Sequence, residues 1–187
     1  MTTIDQPLNV QSNRNEGPQR PWWMILTLVT VLAILALFAY ALMNRDRAQL
    51  MSGPAPDFTI QSFAGEPITL SQFKGKPVVL NFWASWCLEC DKEMALLERS
   101  SQRYENEVVF LGIDYLDTEP KARAYLERFN ITYPNGPDLG GRVSNDFNIK
   151  GVPETFFIGK DGTIKGLKVG PLTEAELEGW IAQLRAE

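Results

Sequence analysis

Residues 22–43 form a run of 22 residues without a single charged side chain, rich in Leu, Ile, Val and Ala. Because a helix rises about 1.5 Å per residue, this run would extend about 33 Å, enough to cross a hydrocarbon core of about 30 Å. Trp22 and Trp23 at one end and Tyr40 near the other are typical of membrane interfaces. Core helices of globular proteins are seldom free of charge over such a length. The run therefore predicts a transmembrane anchor over residues 21–43.

A cleaved signal peptide is the alternative interpretation, since Ala39-Tyr40-Ala41 resembles a small-residue cleavage site. The apolar run is longer than the 7–15 residues or so of a signal sequence, and about twenty polar residues precede it. Both features favour a retained anchor. Two arginines flank each side of the run, so the positive-inside rule does not decide its orientation.

Composition excludes several classes of function. The chain has no histidine, which removes His-ligated metal and haem sites and the Ser-His and Cys-His catalytic pairs. Its two cysteines alone cannot complete a structural zinc site, so no metal site is predicted. The net charge of −5 argues against nucleic acid as a partner.

Three further segments are expected besides the anchor over residues 21–43. Residues 1–20 are rich in Asn, Gln, Thr and Pro and predict a disordered tail. Residues 44–56 predict an extended linker, because they end in Ser-Gly-Pro-Ala-Pro. Residues 57–187 have the apolar patterning of one α/β domain, large enough to bury about two-thirds of its unfolded surface.

Within this domain, apolar periodicity and turn residues predict the order of elements. In chain order we expect a hairpin over 57–70 turning at Gly65, a buried strand over 77–83, a helix from Cys87 to about Tyr104, a buried strand over 108–113, a helix over 119–129, a polar loop over 133–141, a short helix before Phe147, strands over 154–158 and from the turn at 160–162 through Val169, and a last helix opened by a capping box of Thr173 and Glu176.

Two cysteines three residues apart, Cys87 and Cys90, follow the first buried strand where a helix is expected to begin. Backbone N–H groups at a helix N-terminus favour a thiolate, which is the reactive form of cysteine. At this spacing both sulfurs lie on one side of the helix, within disulfide distance. Cys87 could therefore attack a substrate disulfide and Cys90 resolve the mixed disulfide. A purely structural disulfide is the alternative, but so short a loop contributes only about 2 kcal/mol.

Two segments resemble a known family. Residues 81–90, Asn-Phe-Trp-Ala-Ser-Trp-Cys-Leu-Glu-Cys, resemble the active-site segment of thioredoxin-fold proteins. Residues 149–157, Ile-Lys-Gly-Val-Pro-Glu-Thr-Phe-Phe, resemble the segment that carries their cis-proline. The chain most resembles the membrane-anchored TlpA/ResA family, and within it the cytochrome c biogenesis thiol-disulfide interchange group (CcmG/DsbE). The resemblance implies a thioredoxin-like fold, in which helices flank a central mixed sheet, with an N-terminal β-hairpin extension.

The resemblance also implies roles for individual residues. Cys87 is the attacking thiol and Cys90 the resolving one, and the two form a disulfide when oxidised. Pro153 is expected to be cis, with the backbone of Val152 binding substrate. Glu93 matches an acidic residue of ResA-like proteins and could exchange a proton with Cys90, because Asn81 stands where thioredoxins have a titrating Asp.

Two further side chains are candidates for contact with substrate, and each has a structural alternative. Glu154 could line the active-site groove or simply begin a strand, and Trp86 is expected to shield the disulfide. Glu93 could likewise be an ordinary solvated helix residue. Leu88 and Glu89 occupy the positions between the cysteines where the family often has Pro, which leaves the redox potential undetermined.

The function that the resemblance implies is a protein-disulfide reductase in the bacterial cytoplasmic membrane, with a cytoplasmic tail and a periplasmic or extracytoplasmic domain. Its expected clients are apocytochrome c or its maturation factors, and its expected electron donor is a membrane thiol-reductant transporter of the DsbD/CcdA kind. No cofactor is expected, because the disulfide itself carries two electrons. A general extracytoplasmic thiol reductase or oxidase, a copper-binding module and a peroxidase remain as alternatives.

Overall fold

The computed structural model describes residues 22–43 and 49–186, which belong to two compact units. The tail predicted over 1–20 and residues 44–48 of the predicted linker lie outside the described residues. The first unit contains helix α1 (Trp22–Met43), which corresponds to residues 22–43 of the predicted anchor. Its side chains from Trp22 to Ala41 are all exposed, so α1 does not have the burial of a core helix. By length and composition α1 could cross a membrane, a property that signal sequences share.

The second unit is built on a six-stranded mixed sheet of order β1-β8-β7-β4-β5-β6, with a separate two-stranded hairpin, β2–β3. Strands β4, β5 and β6 run parallel, and β7, β8 and β1 add antiparallel pairs on the other side of β4. The strands are β1 (Gly53–Pro54), β2 (Thr59–Gln61), β3 (Pro67–Thr69), β4 (Val78–Trp83), β5 (Val109–Tyr115), β6 (Asn135–Asp138), β7 (Glu154–Ile158) and β8 (Thr163–Val169).

Helices and the hairpin cover the two faces of the sheet. The helices of this unit are α2 (Asp91–Arg103), α3 (Glu119–Arg128), α4 (Arg142–Asp146) and α5 (Glu174–Ala186). Apolar side chains of α2, α3 and α5 form one core cluster with alternate residues of the sheet. The hairpin and α4 contribute to a second cluster, which contains the intervening residues of the sheet strands, whose side chains point to the opposite face. Burial from both sides explains why all six residues of β4 are buried and why its sequence is almost continuously apolar.

The fold confirms the predicted thioredoxin-like α/β architecture, and most of the predicted elements are present. The hairpin turns at Gly65, whose φ of 94° lies in the region that glycine favours. The capping box also forms: the N–H of Thr173 donates to Glu176, and the N–H of Glu176 donates to the Thr173 hydroxyl. Trp180, Leu126 and Phe129 are partly buried against the core rather than fully enclosed.

The predicted loop over 133–141 was wrong in part, because it contains β6. Asn135-Gly136-Pro137-Asp138 has no residue that favours a strand, and the segment is ordered by its neighbours. It pairs with β5 on one side, and the N–H of Phe63 donates to the carbonyl of Asn135. A Cβ at Gly136 would lie 2.7 Å from the Gln61 carbonyl oxygen, so only glycine fits this close approach.

Three other boundaries differ from the predictions. Helix α2 begins at Asp91 rather than at Cys87, because the preceding residues form tight turns with bonds to the third residue back, such as the Cys90 N–H to the Cys87 carbonyl. Part of the predicted linker 44–56 belongs to the domain: β1 pairs with β8, and the N–H of Ala55 donates to the carbonyl of Gly162. β5 also continues to Tyr115, two residues beyond its predicted end.

Candidate active site

The loop that carries the cysteines leaves the sheet at the end of β4. The N–H of Ser85 donates to Asp117 Oδ2 at 2.8 Å, and the N–H of Cys87 donates to the carbonyl of Ala84. Asp117 follows the neighbouring strand β5, so a contact across the edge of the sheet holds this loop in place. A spacing of 32 residues gives no signal in the sequence, and the role of Asp117 was not predicted.

Cys87 and Cys90 form a disulfide, with their Cα atoms 5.3 Å apart. The N–H of Cys90 points at the sulfur of Cys87 at 3.1 Å. Cys87 retains 6% of its surface accessible, whereas Cys90 has none. Cys87 is therefore the cysteine that a protein partner could reach. A backbone N–H group is also directed at its sulfur.

The peptide bond between Val152 and Pro153 is cis, as the resemblance implies. This loop lies against the disulfide, and the sulfur of Cys87 is 3.5 Å from the carbonyl oxygen of Val152. The structure thus brings together two segments that are 65 residues apart in sequence. Trp86, next to Cys87 in the sequence, has an exposed side chain, and its role in shielding the disulfide stays a prediction.

Glu93 is fully buried and accepts hydrogen bonds from two partners. Its Oε1 accepts a hydrogen bond of 2.7 Å from the Asn81 amide, which also donates to the hydroxyl of Thr155 at 2.9 Å. Its Oε2 accepts the N–H of Leu172 at 2.6 Å. Burial raises the pKa of Glu93 to about 7, against the two hydrogen bonds and the charge of Lys168, which lower it.

The pKa of Glu93 lies near neutrality, as a group that exchanges protons with a thiol requires. Its buried position agrees with the functional interpretation and not with the solvated-helix alternative. Thr155 and the backbone of Leu172 were not predicted as part of this network, because their roles depend on which strands and loops meet over α2.

Glu154 is buried at the start of β7, next to the cis-proline. Its Oε1 accepts the N–H groups of Lys150 at 2.8 Å and Gly151 at 3.2 Å, which closes the loop that leads to Pro153. Its Oε2 accepts the side-chain amide of Gln49 at 2.8 Å. Burial raises the pKa of Glu154, and these hydrogen bonds oppose that shift. Because Glu154 is buried, it holds the cis-proline loop through these hydrogen bonds and does not line an open groove.

Nothing in the described residues suggests a metal site, since no group of three or more Cys, Asp or Glu side chains is arranged to hold an ion within 22–43 and 49–186. The groups that this site offers are the disulfide, the buried carboxyl groups of Glu93 and Glu154, and the backbone of the cis-proline loop.

Comparison with known proteins agrees with this geometry. The sequence matches the AhpC/TSA family over residues 51–167, more than half of the chain. The chain belongs to the AhpC/TSA family. The thioredoxin-like protein YneN of Bacillus subtilis is 28% identical over 163 residues, which cover 85% of this chain and 95% of YneN. The thiol-disulfide oxidoreductase ResA of Bacillus cereus is 27% identical over 162 residues, which cover 86% of this chain and 94% of ResA.

A solved structure extends the comparison to the fold. The thiol:disulfide interchange protein of Chlorobium tepidum, of the thioredoxin family, has a TM-score of 0.66 and 26% identity to this AhpC/TSA-family chain. The match covers 74% of this chain and 98% of the Chlorobium protein. The family member described here therefore has the thioredoxin-like fold, and its similar proteins carry the names of thiol-disulfide exchange enzymes.

Proposed function

We propose that this protein is a thiol-disulfide oxidoreductase that reduces protein disulfides outside the cytoplasmic membrane of a bacterium. The observation that carries this proposal is the Cys87–Cys90 disulfide at the end of β4, with the cis-proline loop against the sulfur of Cys87. The similarity to ResA and to the Chlorobium interchange protein supports the same activity.

The first step is attack by the Cys87 thiolate on one sulfur of a client disulfide. A bond forms between Cys87 and that sulfur, the client S–S bond breaks, and the second client sulfur leaves as a thiolate that takes up a proton. The N–H of Cys90, directed at the Cys87 sulfur, stabilises the negative charge before attack. The greater accessibility of Cys87 agrees with this assignment.

In the second step Cys90 attacks the sulfur of Cys87 and releases the client. Cys90 must first lose its proton, and we assign its acceptance to Glu93, a buried carboxyl group three residues further along the chain. The bond between Cys87 and the client breaks, the Cys87–Cys90 disulfide forms, and the client sulfur leaves as a thiol. Two electrons have then passed from the protein to the client, and no cofactor has taken part.

The cis-proline loop and the exposed ring of Trp86 are the proposed contacts with the client backbone near its disulfide. The carbonyl of Val152 faces Cys87, so a client strand placed beside it would present its sulfur to Cys87. Glu154 acts through this loop by accepting two of its N–H groups, and we assign it a positioning role.

We propose that α1 anchors the protein in the cytoplasmic membrane with the domain on the outer side. A membrane thiol-reductant transporter of the DsbD/CcdA kind would return electrons to the Cys87–Cys90 disulfide. The resemblance to the cytochrome c biogenesis group supports apocytochrome c or its maturation factors as clients. A general extracytoplasmic thiol reductase or oxidase is the second candidate, because the same geometry serves other client proteins.

Trapping in cells tests this proposal. A full-length chain with Cys90→Ser cannot resolve the mixed disulfide, so clients should remain attached to Cys87 and be identifiable after non-reducing separation. The control combines Cys87→Ser with Cys90→Ser and should trap nothing. Recovery of apocytochrome c or its maturation factors supports the specific function, and other clients favour the general reductase. Absence of any protein linked through Cys87 would contradict the activity itself.

A further inference from the structure

Exposed large apolar side chains of the domain collect at one edge of its sheet. We call this the cysteine edge; it comprises residues 84–90, 116–118, 139–141, 150–153 and 169–172, where β4, β5, β6 and β8 end and β7 begins. Within the described residues 49–186, the exposed large apolar side chains are Met51, Trp86, Leu88, Leu116, Leu139 and Val169. All except Met51 lie at the cysteine edge. Large apolar side chains exposed together on one surface are typical of a site that contacts another molecule.

Strand pairing brings two of these leucines to neighbouring positions in the chain segments that follow β5 and β6. Tyr115 of β5 pairs with Asp138 of β6, and Leu116 and Leu139 are the residues that follow them. The next strand along the edge is β4, which leads into the cysteine loop. Leu116 and Leu139 therefore extend an apolar surface away from Cys87, on the side opposite to the cis-proline loop.

Leu116 adopts a backbone conformation that is unfavourable for leucine. Its φ is 50°, in the left-handed region that costs free energy for residues with a Cβ. The other two non-glycine residues with positive φ in the described chain are Asn130 and Asn148, and asparagine tolerates this region best after glycine. Leu116 is 58% exposed, so burial in the folded domain does not offset the cost. Such an outlier at a surface suggests that the side chain serves a purpose other than folding.

The turn that carries Leu116 is tied to the cysteine loop. Asp117 accepts the N–H of Ser85 on one oxygen and the N–H of Thr118 on the other. Ser85 lies two residues before Cys87. The hydrogen bond of 2.8 Å between the Ser85 N–H and Asp117 thus connects the turn that contains Leu116 to the loop that contains Cys87.

We propose that Leu116, with Leu139 beside it, binds an apolar side chain that the client polypeptide carries close to its disulfide. This inference rests on the proposed function, since a client must cover the cysteine edge to bring its sulfur to Cys87. A polypeptide is favoured as the occupant because these apolar side chains share the edge with Cys87, whose reaction requires a partner that carries a disulfide, and because the charges there are mixed, with Glu89 paired to Lys92. Leu116 is then a specificity-determining residue, and the strain in its backbone is the cost of presenting the side chain to the client.

Paired peptides test this directly with the full-length chain in detergent micelles. The first probe is a cyclic disulfide peptide with leucine beside one cysteine, and the second has serine in place of that leucine. Rates of oxidation of the reduced protein by each peptide are measured in single turnover. The wild-type chain should react about fivefold faster with the leucine peptide, because partial burial of one leucine is worth a factor of this size. Leu116→Asn should abolish that preference.

Asn130→Leu is the matched control, because it places leucine at an exposed left-handed position outside the cysteine edge. It should keep the fivefold preference. Urea unfolding should show a higher midpoint for Leu116→Asn and a lower one for Asn130→Leu, since one relieves the strain and the other introduces it.

The outcomes separate the two proposals. If neither peptide oxidises the wild-type protein, the proposed function fails. If both peptides react but Leu116→Asn keeps the preference, Leu116 does not bind the client side chain, and this inference is overturned while the proposed function stands. Loss of the preference in Asn130→Leu as well would attribute it to altered stability and would also overturn the inference.

Discussion

Asp114 is a buried carboxyl group whose cost to the fold can be measured. It lies in β5 opposite Trp83 of β4 and is almost completely buried. Neither of its carboxyl oxygens has a hydrogen-bond partner among the described residues. Burial, with a smaller contribution from the charge of Asp117, raises the pKa of Asp114 from 3.8 to about 7. The carboxyl group is therefore neutral in the folded domain at mildly acidic pH and ionised in the unfolded chain.

The sign and size of the effect on stability follow from this shift. A raised pKa in the folded state stabilises the fold fully below pH 3.8, and that contribution is lost as pH rises through about 7. A shift of about 3 units at 1.36 kcal/mol per unit corresponds to about 4 kcal/mol between these limits. Asp114→Asn keeps the shape and removes the charge. We expect it to become more stable than wild type as pH rises, by about 4 kcal/mol at pH 8.5 relative to their difference at pH 3.5.

The assay is urea unfolding of the oxidised full-length chain in micelles, followed by tryptophan fluorescence from pH 3.5 to 8.5. The oxidised form is used because disulfide cysteines do not titrate. Asp161→Asn is the control of opposite sign: hydrogen bonds from Thr163 and Lys165 lower the pKa of Asp161 to about 2, so its contribution is constant above pH 5. A difference between wild type and Asp114→Asn that does not change with pH would refute the reasoning.

Two further predictions concern the buried acid and a tight contact in the core. Glu93→Gln should remove an inflection near pH 7 from the pH dependence of the rate at which Cys90 resolves the mixed disulfide. It should also slow this step about 100-fold at pH 8. The measurement is stopped-flow kinetics between pH 5 and 9, and an unchanged pH profile would exclude Glu93 as the base. Gly166→Ala should lower the free energy of unfolding by about 1–3 kcal/mol, because its Cβ would lie 2.1 Å from the Trp180 ring. The control Gly179→Ala has open space at its Cβ within α5 and should be neutral or stabilising in the same urea titration.

Local patterns were sufficient for the elements whose signals are contained in a short stretch of sequence. The continuous apolar residues of β4 predicted a strand buried on both faces, and all six of its residues are buried. Thr173 and Glu176 predicted the start of α5 because a capping box involves only residues three apart. The resemblance of two segments to one family implied both the cysteine pair and the cis bond before Pro153, which the structure has.

Elements that depend on partners distant in sequence could not be predicted in this way. Strand β6 consists of residues that favour turns, and it exists because β5 and the hairpin supply its hydrogen bonds. Gln49 belongs to a segment that the composition assigned to a linker, yet its amide reaches Glu154 across 105 residues. The start of α2 at Asp91 also depends on the tight turns that the cysteine loop must make as it leaves the sheet.

The sequence by itself determined the apolar length of α1, the α/β order of the domain and the spacing of the two cysteines, because each is a property of neighbouring residues. Only the tertiary structure decided the protonation behaviour of Glu93 and Asp114. Both are acidic residues in ordinary sequence surroundings, and their pKa values rise because the packed sheet and helices remove water from around them. Desolvation is a property of the whole packed domain, so no local pattern could have predicted it.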